Sequence, residues 1–223
     1  TISGSSTISV SGVNLVPGGT CEFSITVLVP ANAAAGNYTN TSSTISLTLG
    51  SATTLTAVST NLQVIAAPTL TISNDSSTIA AGGTFTSPFT LTNPDSGNAL
   101  SDGPFTMDIA GVIPSATISS LPAANSCGSG SAFTKTSNSN STAIFKVAGA
   151  NLVAGGSCNF DITVTSPVDT ATGPYTFTTG GGNAAINGNN VPMRAVATSV
   201  TGESAPQLTM SLSSNSVVPG GTY

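Results

Sequence analysis

The run Val147–Cys158, VAGANLVAGGSC, passes into Phe160–Thr165, FDITVT, and its reading decides the fold. Phe160, Ile162 and Val164 alternate with Asp161, Thr163 and Thr165, which sends apolar side chains to one face and polar ones to the other, the period of a half-buried β-strand. Gly155-Gly156 ahead of it marks a turn, since glycine adopts the positive φ that a Cβ resists. The same run stands earlier in the chain. Val10–Cys21, VSGVNLVPGGTC, aligns on it without gaps, at an offset of 158 − 21 = 137 residues.

Working outward, Gly36-Asn37-Tyr38-Thr39 matches Gly173-Pro174-Tyr175-Thr176 at the same offset. After a one-residue shift to 205 − 67 = 138, Ala67-Pro68-Thr69-Leu70-Thr71 recurs as Ala205-Pro206-Gln207-Leu208-Thr209, and Gly82-Gly83-Thr84-Phe85 as Gly220-Gly221-Thr222-Tyr223. Blocks repeating in one order at one spacing are the signature of tandem modules. The expected organisation is the later part of one repeat over 1–66, a complete repeat over 67–204 and the opening strand of a third over 205–223, so that both ends fall inside modules. Thr69–Ser73 and Phe85–Thr92 also alternate, helical spacing is absent, and Ala81-Gly82-Gly83, Asn93-Pro94-Asp95 and Gly180-Gly181-Gly182 read as turns between strands. The fold class expected is all-β, a series of two-sheet sandwiches.

The chain has 223 residues, of which only 5% are charged: 3 Lys+Arg against 8 Asp+Glu, net −5. Ser, Thr, Asn and Gly take over the solvation of the surface, a composition typical of secreted β-proteins, and the weak self-repulsion permits close packing of copies. Lys135, Lys146 and Arg194 are scattered and leave no basic stripe for phosphates, so nucleic acid is not an expected partner. No apolar run reaches the length of a membrane span, and an export signal is expected upstream of Thr1. Hydrophobic residues make up 39% in alternating runs, which argues against disorder.

The two halves of the complete repeat, GGTFTSPFTLTNPDSGNALSDGPFTMDI and LVAGGSCNFDITVTSP followed by GPYTF, resemble the tandem immunoglobulin-like domains of unknown function found in bacterial surface and secreted proteins. AGNYTNTSSTI of the first repeat is similar to the closing strand of the same family. The resemblance implies an immunoglobulin-like sandwich and tandem architecture, and carries no catalytic site with it. Phe177 stands where the first repeat has Asn40, which leaves the pairing of that edge open.

Catalytic chemistry has little to draw on. With no His, Ser-His-Asp and Cys-His arrangements are impossible within the chain, and Glu22, Asp161 and Asp169 read as solvated residues on or beside strands. No enzyme is expected, and no cofactor. Asn93, Asp95, Asn98 and Asp102 form one cluster of hard oxygen ligands of the kind calcium prefers, without the spacing of an EF-hand; the same residues are normal in a long β-turn. Lys135 and Lys146 raise an isopeptide brace, weakened because Lys146 aligns with Ser9. Asn37, Asn40, Asn74 and Asn140 each open an Asn-X-Ser/Thr triplet, either a glycosylation acceptor or plain surface polarity.

Three cysteines leave one over. Cys127 precedes Cys158 by 31 residues, whereas Cys21, the counterpart of Cys158, would need a partner at 21 − 31 = −10. A Cys127–Cys158 disulfide and an unpaired Cys21 follow, the alternative being two buried thiols. The expected function is a structural subunit or stalk of an extracellular or cell-surface fibre whose partners are other repeats end to end; the rival is an adhesin module binding through sandwich loops, which the 5% aromatic content without Trp disfavours for glycans. The apolar face of 1–66, with Leu15, Phe23, Ile25 and Val27, is expected to be covered from outside the chain, unless those residues form a small sheet of their own.

Overall fold

The computed structural model describes residues 2–3, 7–30, 33–49, 51–109, 111–138, 142–211, 216 and 218–221. Among them are nineteen β-strands and no helix. The chain divides into two compact units, Thr1–Ala34 and Ala35–Tyr223; the module boundary expected after residue 66 lies inside the second.

In the first unit β1 (Ile2–Ser3) pairs antiparallel with β2 (Ser9–Val10). The alternating run 20–28 takes no strand pairing. The second unit opens on a long hairpin in two ladders: β3 (Gly36–Thr41) pairs with β6 (Ser59–Val64), and β4 (Ile45–Leu49) with β5 (Ser51–Leu55).

The remaining strands build a closed sandwich. They are β7 (Thr69–Ile72), β8 (Thr78–Ala80), β9 (Thr84–Thr92), β10 (Leu100–Ser101), β11 (Phe105–Asp108), β12 (Thr117–Ser120), β13 (Ala132–Asn138), β14 (Thr142–Ala148), β15 (Ser157–Thr165), β16 (Gly173–Gly180), β17 (Gly182–Ile186), β18 (Asn189–Met193) and β19 (Ala197–Glu203). One sheet runs β12-β15-β9-β7, another β13-β14-β11-β16-β19-β8, and β10-β17-β18 forms a third. All pairings are antiparallel except β8 with β19, where Thr78–Ala80 lies parallel to Thr201–Glu203. That pair joins strands far apart in sequence and closes the module between its opening and its end.

The alternation read from the sequence is what fills the core. Phe85, Phe89 and Leu91 on β9 and Phe160, Ile162 and Val164 on β15 point inward from one sheet, and meet Phe105, Met107, Phe145, Phe177 and Val200 from the other. Ring centroids of Phe89 and Phe160 are 5.1 Å apart along one sheet, and Phe85 reaches Phe177 across to the other at 5.7 Å. Such ring pairs add about 0.5–1.5 kcal/mol each to what area burial supplies.

Two local readings change. Gly180-Gly181-Gly182 is no turn: Gly180 ends β16 and Gly182 begins β17. Glycine is required there because a Cβ on Gly182 would lie 2.2 Å from the Pro104 carbonyl oxygen, and one on Gly180 2.8 Å from Thr106 Oγ1. At Phe177 the edge does not pair in a new way. Phe177 faces Thr198 on β19 just as Asn40 faces Thr60 on β6, and the phenyl ring fills core space against Phe85.

The glycine pairs do make turns, all alike. In Val16–Gly19, Ala80–Gly83, Val153–Gly156 and Val218–Gly221 the last N–H donates to the first carbonyl at 2.8–2.9 Å, with φ between 68° and 83° at the first glycine. This is the type II turn, whose third position needs positive φ.

Candidate functional site

Groups that titrate or attack are sparse in the fold as in the composition. Among the described residues no three His, Cys, Asp or Glu side chains gather as a metal site, and no buried side-chain nitrogen or oxygen lacks a hydrogen bond. Glu22 and Asp161 are exposed, and Asp169 lies exposed between β15 and β16.

The oxygen cluster after β9 is a hydrogen-bonded turn. Asn93 is fully buried: its amide donates to the carbonyls of Asn98 (2.8 Å) and Val153 (3.1 Å), and its Oδ1 accepts from the Asp95 N–H (3.2 Å). Asp95 Oδ1 accepts from the N–H groups of Gly97 (3.0 Å) and Asn98 (2.8 Å) and from Asn98 Nδ2 (2.9 Å), while Oδ2 accepts from the Ala66 N–H (3.3 Å). The carboxylate thus ties its own turn to the segment joining β6 and β7. Little solvent reaches it, and that burial works to raise its pKa, yet the bonds from the Asn98 amide and the Gly97, Ala66 and Asn98 N–H groups prevail and hold it below the ordinary value. Asp102, at φ 52°, takes no part in these bonds. Of the four proposed calcium ligands, Asn93 presents its donor end to carbonyls and the Asp95 oxygens are engaged in hydrogen bonds. A cation would have to displace these bonds. Sequence reasoning missed the Ala66 contact, because nothing in Ala66-Ala67-Pro68 marks a donor.

The other candidates are also placed. Lys135 donates its ammonium to the Ile118 carbonyl, and Lys146 is exposed on β14. Asn74 is engaged at both ends of its amide, Nδ2 to the Ser199 carbonyl at 3.0 Å and Oδ1 from the Ser87 hydroxyl at 2.8 Å, which leaves it poorly presented for glycosylation. Asn37 and Asn40 are exposed on β3, and Asn140 lies outside the described residues. Cys127 and Cys158 form a disulfide with Cα atoms 5.2 Å apart, and Cys21 is a free, exposed thiol.

Several large apolar side chains are exposed in each unit. Leu15, Phe23, Ile25 and Val27 are all exposed, Phe23 at 51% and Val27 at 63%, whereas at the 137-residue offset Phe160 is 5% and Val164 0% exposed. Within β3–β6, Leu62 is 47% exposed against 1% for Val200. No helix among the described residues is long and apolar enough to cross a membrane.

The sequence matches no family model and no curated protein. Among solved structures, the chain is similar to the seventh ScaB type I cohesin from Pseudobacteroides cellulosolvens (15% identity, TM-score 0.44, 64% of this chain and 97% of that one). It is similar also to a non-cellulosomal cohesin from the hyperthermophilic archaeon Archaeoglobus fulgidus (16%, 0.40, 61% and 92%). A third similar structure is the C-terminal domain of the Streptococcus agalactiae AgI/II polypeptide BspA (14%, 0.40, 74% and 58%). The chain's own strands and sheets make the fold an all-β sandwich.

Proposed function

We propose that this chain is a stretch of a non-catalytic, extracellular or cell-surface stalk or fibre assembled from immunoglobulin-like repeats of about 137 residues. The observation that carries this reading is a backbone motif made twice. Ser42 N–H donates to the Val58 carbonyl (2.8 Å) while Ser42 Oγ accepts from the Val58 N–H (3.0 Å); Thr179 N–H donates to the Val196 carbonyl (2.9 Å) while Thr179 Oγ1 accepts from the Val196 N–H (2.9 Å). On either side the ladders agree in register. Gly36 pairs with Val64 as Gly173 pairs with Gly202, and Ile45 with Leu55 as Gly182 with Met193.

The change of offset from 137 to 138 has a local origin within the same hairpins. One residue, Gly50, separates the paired Leu49 and Ser51, whereas two, Asn187 and Gly188, separate Ile186 from Asn189. Asn187 at φ 50° and Gly188 at φ 73° supply the two positive angles of a type I′ turn. An insertion confined to a hairpin tip leaves the ladder below it unchanged, which is how diverged copies of one module differ.

A stalk reading also fits the sparse charge, the Cys127–Cys158 staple and the Asp95–Ala66 bond, which anchors the segment joining a closing hairpin to the next sandwich. The test is a chain in which residues 67–204 are duplicated head to tail, measured by small-angle X-ray scattering. The largest dimension should grow by roughly 40 Å per added module, the diameter of a compact domain of this size. Collapse into one globule of unchanged length, or failure of the added copy to fold, would overturn the reading.

A further inference from the structure

Resting on that repeat reading, we infer that the joint between consecutive repeats is a latch released by acid. The ionised Asp95 carboxylate fixes Ala66, and with it the closing hairpin, against the next sandwich; protonation frees the joint while the sandwich stays folded. Four residues, 65–68, separate β6 from β7. Ile65 packs partly buried against the core and Pro68 is buried, so apolar contact keeps this segment attached at both ends. Between them, Ala67 is confined to extended conformations by the proline that follows it. Ala66 is then the residue with rotational freedom, and its N–H is the one that Asp95 Oδ2 holds at 3.3 Å. The turn also lies close to the end of β6, since a Cβ on Gly97 would stand 4.0 Å from Gln63 Nε2.

The two carboxylate oxygens are unequally engaged. Oδ1 accepts from the Gly97 N–H, the Asn98 N–H and Asn98 Nδ2, whereas Oδ2 accepts from the Ala66 N–H alone. An added proton therefore goes to Oδ2, and there an O–H faces the N–H of Ala66, two donors with no acceptor between them. The bonds to Oδ1 keep the turn itself in shape. The elements packed against Asp95 are its own turn, residues 65–68 and the turn 153–156, whose Gly155 N–H donates to the Asp95 carbonyl at 2.8 Å. No other side chain in them titrates, and Asp102 further along the loop is exposed. Burial works to raise the Asp95 carboxyl, but the bonds from Asn98, Gly97 and Ala66 hold it below its ordinary 3.8, so the latch is closed at neutral pH and opens only as pH falls below that value. The rest of the module gives acid little to act on. The chain has no His, its other acidic side chains are exposed, and among the described residues the buried polar side chains besides Asp95 are Ser, Thr and Asn. With 3 Lys+Arg as its side-chain cations, the fully protonated chain carries too little charge for the self-repulsion that opens proteins in acid.

The experiment uses the full chain, with Cys21→Ser to remove the free thiol and spin labels at Asn40→Cys on the hairpin and Lys146→Cys on the sandwich, both exposed positions. Pulsed electron paramagnetic resonance reads the distance distribution between the labels, and circular dichroism at each pH reads the fold. A single narrow distance is expected at neutral pH. It should give way to a broad distribution below pH 3.8 and return on neutralisation, with the β-sheet spectrum kept throughout. In Asp95→Asn the carbonyl oxygen stays with the three donors and the amide nitrogen faces Ala66, so the distribution should be broad at every pH. A distribution already broad at neutral pH, one that acid leaves narrow, broadening that comes only with loss of the β-sheet spectrum, or a narrow neutral-pH distribution for Asp95→Asn would each overturn the latch. If the duplicated chain elongates while any of these is seen, the latch is refuted and the repeat reading stands; a reversible acid response with no elongation keeps the latch within this chain and removes the stalk.

Discussion

Residues 20–28, TCEFSITVL, and 157–165, SCNFDITVT, have nearly the same alternation and opposite fates. The second is a nine-residue strand between two neighbours, with Phe160, Ile162 and Val164 buried; the first pairs with nothing as a strand, and Phe23, Ile25 and Val27 face solvent. Alternation fixes which side chains share a face. Whether that face is buried depends on the strands beside it, because a β-strand satisfies its backbone only across a ladder. The sharpest way to break the comparison is to truncate both members of one pair. Phe160→Ala should destabilise the sandwich by about 3–5 kcal/mol, the cost of emptying a packed aromatic site. Phe23→Ala should stay within about 0.5 kcal/mol, as for a surface position. Urea denaturation followed by circular dichroism checks both, and similar losses for the two would mean that Phe23 has a packing role in the folded chain.

The cysteines extend the same comparison with a somewhat smaller effect. Cys158 is stapled to Cys127 across 31 residues, while its counterpart Cys21 is free. In the chain-entropy description, closing a loop of that size stabilises by roughly 3–4 kcal/mol. Replacing Cys127 and Cys158 together by Ala should therefore cost the complete module up to about that amount, and Cys21→Ser should cost nothing measurable. Pulling a duplicated chain apart in a force experiment gives a second readout. Reduction should lengthen each unfolding step by roughly 100 Å, since 31 residues at about 3.4 Å each are released from the loop.

Much of this fold was legible because the informative residues act locally or recur. The alternation in β7, β9 and β15, the Gly-Gly turns and the all-β class follow from side-chain period and from turn chemistry. The repeat alignment also pointed to the cysteine pair. Less legible were features set by close approach between distant segments. Gly180 and Gly182 resemble turn residues in sequence, but they are small because Thr106 and the Pro104 carbonyl press against them. The parallel pairing of β8 with β19 joins residues more than a hundred positions apart and has no local sign. The residues of the oxygen-rich turn suit a turn and a cation site alike, and its bond to Ala66 is invisible in the sequence, since a backbone donor carries no residue signature.

The smallest expected effect concerns that turn, and it contrasts a region tied to the rest of the module with an open one. Asp95 accepts four hydrogen bonds, one of them from the segment that joins β6 to β7. Asp95→Ala leaves the N–H groups of Ala66, Gly97 and Asn98 without their acceptor and should cost about 1–3 kcal/mol, the usual penalty for orphaned donors. Added calcium should not change the wild-type melting temperature if those bonds are the carboxylate's whole purpose; a rise that Asp95→Ala abolishes would reinstate a cation site. Proton linkage gives the finer test. Because the folded carboxyl is held below its ordinary value of 3.8, the ionised form is favoured by folding. Its contribution is fully present at pH well above 3.8 and is lost as pH falls through 3.8 toward the depressed folded value. Wild-type stability should therefore decline below about pH 4 more steeply than that of Asp95→Asn, which has no proton to gain there. Parallel pH profiles for the two proteins would show that the bonds from Asn98, Gly97 and Ala66 draw nothing from the charge.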